Sequence, residues 1–193
     1  MLSISPEFQR IYDQGMKDEK FVMDFFTANG AIVTPASTEE NKYQDIDCYI
    51  NGVPVSIKAQ HKGVIFHNIG LELANELTIH QGHPLTKQYL VNNSMTLPQI
   101  QDLINKGIWE PGWFVNSKAK VYLVYQGDII RHYRKAHIVQ TIKTKGFRRI
   151  RCLREDTLES KGGTYRYYNT VNGYLNWEDL LCKSYKVNPT EAA

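Results

Sequence analysis

The stretch YQDIDCYINGVPVSIKAQ, residues 43–60, contains two short alternating runs on either side of Asn51-Gly52. An Asn-Gly pair between alternating runs is the strongest short-range signal for a β-hairpin with a two-residue type I′ turn. Because the turn fixes the register of the two strands, Ile50 is expected to face Val53, and every further cross-strand pair follows from that one. The predicted hairpin therefore determines which side chains of this stretch meet.

The register sorts the hairpin into an apolar and a polar face, because successive strand residues point to opposite sides. The apolar face consists of Cys48, Ile50, Val53, Val55 and Ile57. The polar face consists of Asp45, Asp47, Tyr49, Pro54, Ser56, Lys58 and Gln60. Two interpretations are open. One is a solvated outer face with an Asp45–Lys58 ion pair, worth roughly 0–1 kcal/mol. The other is a metal site, since carboxylates suit Mg²⁺ and a neighbouring lysine can stabilise phosphorane charge.

The polar face resembles the signature of the PD-(D/E)XK nuclease superfamily, in which an acid is followed by (Asp/Glu)-x-Lys on a β-hairpin. Asp47 or Asp45 stands for the first acid, and Ser56-Ile57-Lys58 stands where Glu-x-Lys is expected. Ser56 departs from the signature, because a hydroxyl cannot replace a carboxylate. Some restriction endonucleases of this superfamily carry Ser-x-Lys and take the missing carboxylate from a glutamate further along the chain. Glu72 resembles that displaced acid.

Glu72 belongs to the segment VIFHNIGLEL, residues 64–73, which we predict to be a strand through Leu73. Alternation then places Ile69 and Leu71 on one face and Glu72 on the polar face. A helix over residues 70–80 is the alternative, and it would make Glu72 and Glu76 partners one turn apart.

Glu19 lies on the apolar stripe of the first predicted helix, which begins at Ser5-Pro6-Glu7 and ends before Gly30. An inward carboxylate needs a reason, because burying a lone charge is costly. Either Glu19 lies at the edge of the stripe and reaches water, or it points at the hairpin. The resemblance implies the second, since many PD-(D/E)XK nucleases, Holliday-junction resolvases among them, carry a glutamate on the helix before the first strand.

Capping, turn and periodicity signals divide the rest of the chain. Predicted strands cover residues 31–34, 120–125, 129–133 and 164–171, the last turned back by Asn172-Gly173. Predicted helices cover residues 95–106, 136–145 and Asn176 through Cys182 or Lys183, and residues 35–42 are predicted to be a polar loop. This order predicts an α/β (α+β) fold with a mixed central β-sheet flanked by helices, compatible with a restriction-endonuclease-like core. We expect one nuclease-like domain over residues 1–193, with its core at 5–145 and a C-terminal strand–helix extension at 146–187.

The most basic stretch of the chain spans residues 143–154. Its candidate nucleic-acid-binding residues are Lys143, Lys145, Arg148, Arg149 and Arg151. Such clustering is typical of phosphate contacts, although a solvated face balanced by the acids that follow is the alternative.

Bulk composition narrows the class of protein. The net charge of +3 permits nucleic-acid binding without requiring it. The three cysteines are isolated, which favours free thiols in a reducing compartment. Neither a signal peptide nor a membrane-spanning apolar run is present in the sequence, so we predict a cytoplasmic protein without a membrane partner.

The resemblance implies a Mg²⁺-dependent nuclease that hydrolyses phosphodiester bonds of DNA, with Mn²⁺ as a substitute ion and a bacterial or phage source. Endonucleases and junction resolvases are favoured. The implied metal ligands are Asp47, Glu72, Asp45 and Glu19, and the implied catalytic residues are Asp47, Lys58, Glu72 and Gln60. Lys58 would position or deprotonate the attacking water, and Gln60 would contact water or phosphate. A homodimer is compatible with this function. Because of Ser56, a catalytically silent nuclease-like domain that binds nucleic acid or a protein partner is the alternative.

Overall fold

The computed structural model describes residues 6–60, 68–76, 84, 95–158 and 165–187. The elements in chain order are α1 (Pro6–Ala28), β1 (Val33–Pro35), α2 (Thr38–Gln44), β2 (Cys48–Ile50), β3 (Val53–Ala59), β4 (Asn68–Glu76), α3 (Leu97–Asn105), β5 (Trp109–Pro111), α4 (Trp113–Asn116), β6 (Val121–Gln126), β7 (Ile129–Arg134), α5 (Lys135–Lys145), β8 (Arg149–Leu158), β9 (Tyr165–Asn176), a 3₁₀ turn (Trp177–Asp179) and β10 (Cys182–Lys186).

The chain divides into two compact units. The first, here called the hairpin unit, comprises Gln9–His67, Ser117–Gly146 and Asn176–Ala193. The second unit comprises Met1–Phe8, Asn68–Asn116 and Phe147–Leu175. The predicted hairpin and Glu72 therefore belong to different units.

The hairpin unit is built on a mixed sheet with the strand order β1-β2-β3-β6-β7-β10. Strands β3 and β6 run parallel, and the other neighbours are antiparallel. The predicted mixed sheet flanked by helices is therefore confirmed at the level of α/β class. The strands predicted at residues 120–125 and 129–133 are confirmed as β6 and β7, which form an antiparallel hairpin. The helix that follows is confirmed as α5, which ends at Lys145 and is capped by Gly146 with φ +74°.

The turn at Asn51-Gly52 has the predicted geometry. Asn51 and Gly52 both have positive φ, at 50° and 76°, as a type I′ turn requires. Ile50 pairs with Val53 and Cys48 with Val55, so the predicted register is confirmed. The Asn51 side chain also accepts a hydrogen bond from the Ile32 amide at 2.9 Å, which ties the turn to the segment before β1.

The apolar face of the hairpin packs beneath α1. The buried cluster consists of Val22, Cys48, Val55, Ile57, Val121, Leu123, Tyr125, Ile130 and Val187. Val22 comes from α1, and its apolar neighbours along that helix pack around the same cluster. Burying one such aliphatic side chain contributes roughly 1.5–3 kcal/mol. This packing holds α1, and with it Glu19, over the hairpin.

The prediction of a polar loop at residues 35–42 is wrong, because α2 begins at Thr38. The Ser37 hydroxyl accepts a hydrogen bond from the Glu40 amide, and the Glu40 carboxylate accepts one from the Ser37 amide. This reciprocal capping box is visible in the sequence as Ser37-Thr-Glu-Glu40. Tyr49 donates to the other oxygen of Glu40 at 2.5 Å, which pins α2 to β2.

The turn predicted at Asn172-Gly173 is also wrong, because β9 continues through both residues to Asn176. Gly173 does not form a turn; its lack of a side chain allows close packing. A Cβ added there would come within 2.5 Å of the Phe147 ring, so the glycine lets that ring lie against the strand.

The final helix predicted from Asn176 is limited to the 3₁₀ turn at Trp177–Asp179, and β10 follows it. Leu180 is buried whereas Leu181 is 75% exposed. Pairing with the open edge of β7 provides β10 with hydrogen-bond partners that a helix would not use.

The second unit contains a sheet with the order β5-β4-β9-β8. Segment β4 is a strand to Glu76, so the strand prediction for Glu72 is confirmed and the helical alternative is wrong over residues 70–76; residues 64–67 lie outside the described part of the chain. Ile69, Leu71 and Leu73 are buried, as the alternation predicts. The predicted helix after Met95 is confirmed as α3, with a capping box between Thr96 and Gln99.

No helix within the described ranges is long and apolar enough to cross a membrane.

We predict opposite effects on stability when a methyl group is added at Gly52 and at Gly15. A Cβ would meet open space at both positions, but Gly52 has φ +76° whereas Gly15 lies within α1. Gly52→Ala should lower the free energy of unfolding by about 1–2 kcal/mol, because L-residues pay that cost in the left-handed region. Gly15→Ala should raise it by about 0.5–1 kcal/mol, the helical advantage of alanine. Urea denaturation of both variants tests the pair, and a shift of the same sign in both would contradict it.

Candidate functional site

Asp45 and Lys58 form an ion pair at the end of the hairpin remote from its turn. The Lys58 Nζ lies 2.5 Å from Asp45 Oδ1, as the cross-strand register predicts. Asp45 follows α2 directly, and its φ of 53° places it in the left-handed region, where its amide donates to the Glu40 carbonyl. The end of α2 therefore presents the Asp45 carboxylate to the strand that carries Lys58.

Asp47 lies just before β2 and is held by donors on both carboxylate oxygens. The Asn41 amide donates to Oδ1 at 2.6 Å, and the Ile57 backbone N–H donates to Oδ2 at 2.5 Å. Burial raises the pKa of Asp47, while Lys58 and the Ile57 amide oppose that rise. Two fixed donors leave the carboxylate little rotational freedom, so its outer lone pairs point in a set direction.

Asn41 is a site residue that sequence reasoning missed. Its side chain reaches Asp47 because it lies on α2, the helix that was predicted as a loop. The capping box at Ser37 and Glu40 was the available signal, since a helix begun there turns Asn41 toward the next strand.

Glu19 on α1 is half-buried near the same acids. Its pKa rises from an ordinary value of 4.5 to about 7. Loss of hydration is the largest cause, followed by the negative charge of Asp47; Lys58 lowers the pKa, and Asp18 and Asp45 raise it further. Glu19 is therefore within electrostatic reach of the polar side chains of the hairpin, which favours the interpretation that it points toward them.

Ser56 and Gln60 flank Lys58 on the same strand segment. Ser56 is fully buried, and its hydroxyl is one of the groups that lower the pKa of Asp47. The backbone N–H of Gln60 donates a hydrogen bond to the Tyr125 carbonyl at 2.9 Å. Two buried acceptor oxygens, Gln60 Oε1 and Asp45 Oδ2, have no hydrogen-bond partner among the described residues. Such orphaned acceptors suit a water or a cation.

Glu72 lies in the second unit, on β4. Its Oε1 accepts hydrogen bonds from the Asn75 side chain at 3.0 Å and from the Trp113 amide at 3.2 Å. Of the predicted metal ligands, the hairpin unit itself brings together Glu19, Asp45 and Asp47. The role of Glu72 as the displaced acid stays a prediction.

The donor chemistry of the hairpin unit fits a hard divalent cation. Carboxylate and amide oxygens are the ligands that Mg²⁺ takes, and a cation beside Glu19 would offset the mutual repulsion that raises its pKa. Within the part of the chain that the structure describes, no three acidic, histidine or cysteine side chains are spaced as a metal site. Glu19, Asp45 and Asp47 thus supply fitting ligands, but not a closed coordination sphere.

The predicted nucleic-acid-binding residues are distributed over both units. Lys143 and Lys145 belong to α5 in the hairpin unit, and Arg148, Arg149 and Arg151 belong to the second unit. Lys145 pairs with Asp179 at 2.6 Å, and the Arg149 guanidinium lies 5.1 Å from the centre of the Tyr174 ring. A common DNA-binding surface for these residues stays a prediction.

We predict that the free energy of unfolding falls as the pH rises from about 4.5 to about 7. In this window folded Glu19 holds a proton that the unfolded chain has released, because its folded pKa is about 7 and its ordinary value 4.5. Since the folded state then binds more protons, raising the pH disfavours it; Glu19 contributes no slope below or above the window. Urea denaturation at about pH 5 and about pH 8 measures the fall. Glu19→Gln should reduce it, and Glu39→Gln, a change at an exposed acid of α2, should not. An equal fall in wild type and Glu19→Gln would refute the assignment.

No protein-family model, no curated protein and no solved structure matches the chain.

Proposed function

We propose that the chain is a Mg²⁺-dependent DNA nuclease of the endonuclease or junction-resolvase type, with a restriction-endonuclease-like core. The observation that supports this function best is the convergence of Asp45, Asp47 and Glu19 with Lys58 at one end of a rigid hairpin. Perturbed carboxylates grouped around a lysine are typical of functional sites, because a purely structural surface gains little from crowding like charges.

The metal would be held by Asp47 and Glu72, the displaced acid, with Asp45 or Glu19 assisting. Bound Mg²⁺ supplies Lewis-acid stabilisation of the scissile phosphate and a more acidic water. Asn41 and the Ile57 amide orient Asp47 before any ligand arrives. Pre-set ligands of this kind avoid the cost of reorganisation during the reaction.

Lys58 and Gln60 would act on the reacting groups. The Lys58 ammonium donates hydrogen bonds, so it can orient the attacking water or stabilise the negative charge that develops on the pentavalent phosphate. Gln60 Oε1 is a buried acceptor without a partner among the described residues, and it can accept a hydrogen bond from that water. The basic residues of α5 and β8 would contribute phosphate contacts that are independent of sequence.

A second candidate function is a catalytically silent nuclease-like domain that binds nucleic acid or a protein partner. Three observations favour it: Ser56 replaces the expected acid and is fully buried, Lys58 is closed onto Asp45 at 2.5 Å, and both oxygens of Asp47 already accept hydrogen bonds. A site in this state can keep the architecture of a nuclease without a competent metal centre.

We predict that Lys58→Met lowers the rate of Mg²⁺-dependent DNA cleavage by about 10²–10³-fold, the usual effect of removing one donor that stabilises developing charge. Asp47→Asn should abolish cleavage, because a neutral amide binds the metal more weakly. Asp24→Asn, which removes an exposed acid paired with Lys20 on α1, is the matched control and should cleave as wild type does. Cleavage of labelled single-stranded, double-stranded and branched DNA with Mg²⁺ or Mn²⁺ is the assay. If no wild-type cleavage occurs on any of these substrates or on RNA, the nuclease proposal fails and the silent domain stands.

We predict that Glu72→Gln weakens both Mn²⁺ binding and cleavage by at least about tenfold, if Glu72 supplies the carboxylate missing at position 56. The amide keeps an acceptor for Asn75 and Trp113, so the loss reports charge and not local folding. Glu76→Gln is the control on the same strand. Glu76 is buried and bonded to Asn169, and the isosteric amide preserves its packing. Titration of Mn²⁺ by its electron paramagnetic resonance signal measures binding directly. The reverse pattern would move the displaced acid from Glu72 to Glu76.

A further inference from the structure

A cavity of about 980 Å³ lies at the turn end of the hairpin unit's sheet. It opens between the C-terminal part of α1 and the start of α5, and all of its lining residues belong to the hairpin unit. Its apolar lining includes Phe25, Phe26, Ile50, Val55, Leu123 and Val139. This volume lies at the upper end of the range found for small-molecule sites, and the lining is of the apolar kind typical of them.

The cavity is separate from the acidic site. Strand β3 reaches the cavity with Val53 and Val55 and reaches the acidic site with Lys58. Successive strand residues advance by about 3.3 Å, so the two ends of β3 serve different surroundings. A ligand in the cavity would therefore leave the carboxylates near Lys58 uncovered, and its binding does not depend on the proposed nuclease activity.

The charged residues that line the cavity are all basic: Lys120, Arg134 and Lys135. Lys120 and Arg134 are exposed, and neither has a carboxylate partner among the described residues. Lys135 donates to the Ser117 carbonyl at 2.6 Å. The lining of the cavity thus joins an apolar interior to a positively charged rim at Lys120 and Arg134.

The pKa of His132 is affected by the positive charges near the cavity. This histidine lines the cavity, and its pKa is lowered, first by burial and then by the charges of Arg134 and Lys183. Strand β10 lines the cavity through Tyr185, and strand β7 lines it through His132. An anion at the rim would offset this repulsion, whereas a cation would add to it.

We propose that this cavity binds a small amphiphile with a hydrocarbon body and a single anionic head, a carboxylate or a phosphate, placed at Arg134 and Lys120. The hydrocarbon would cover the partly exposed apolar lining at Ile50, Val53 and Val139, with a gain of about 25 cal/mol for each Å² removed from water. The head would accept charge-assisted hydrogen bonds from the Arg134 guanidinium, which suits carboxylate and phosphate geometry.

Isothermal titration of the full chain with dodecanoate, dodecyl phosphate and dodecyltrimethylammonium, each below its micelle concentration, tests the proposal. At least one anion should bind saturably at one site per chain, and the cation should bind at least about tenfold more weakly. The stronger of the two anions identifies the head group. Failure of both anions to saturate, or equal binding of the cation, would overturn the proposal, and an acidic amphipathic helix would then be the occupant to consider.

Arg134→Gln should weaken binding of the preferred anion by about 10–100-fold, the value of a lost hydrogen bond between charged groups. Arg10→Gln, at an exposed arginine of α1 outside the cavity, is the matched control and should bind as wild type does. Val139→Trp fills the cavity from α5 and should abolish binding. If that variant unfolds, Ala136→Leu narrows the mouth from an exposed position on the same helix. Unchanged affinity in Arg134→Gln, or in the filled variant, refutes this site.

Discussion

The left-handed backbone at Asn51 and Gly52 is the constraint on which the rest of the hairpin unit depends. Type I′ geometry permits a two-residue connection, and a two-residue connection allows one register. A slip by one residue would turn Val55 and Ile57 away from the apolar cluster beneath α1 and turn Ser56 and Lys58 toward it. The apolar core and the acidic site therefore depend on the same register, because they lie on opposite faces of one pair of strands.

Electrostatic crowding at the far end of the hairpin opposes folding and is tolerated because several donors offset it. Lys58 neutralises Asp45, and Asn41 with the Ile57 amide satisfies Asp47. For Glu19, burial and then the charge of Asp47 outweigh the opposing effect of Lys58, and its pKa rises to about 7. Carboxylates crowded in this way are more typical of a functional site than of a solvated face.

The cavity and the acidic site lie at opposite ends of strand β3 in the hairpin unit's sheet. Helix α1 covers the middle of the apolar face through Val22 and its neighbours, and the cavity remains where that cover ends. A strand that contributes to both, β3, is rigid because it pairs on either side with β2 and β6. Side chains at its two ends are thus fixed by one element, although the ligands proposed for the two ends differ in charge: a cation at the acids and an anion at the basic rim.

The sequence by itself determined the features that depend on local spacing: the turn, the register, the Asp45–Lys58 pair, the position of Glu19 on an inward stripe, and strand β4 through Glu72. Each follows from backbone preferences within a few residues. The signal for helix α2, its capping box at Ser37 and Glu40, is equally local, although the segment was predicted to be a loop. Only the tertiary structure decided the remainder. Gly173 packs against Phe147 instead of turning, β10 forms because β7 offers an open edge, and the predicted acids and basic residues are divided between two units. These outcomes depend on partners distant in the chain, and periodicity within a segment contains no information about them.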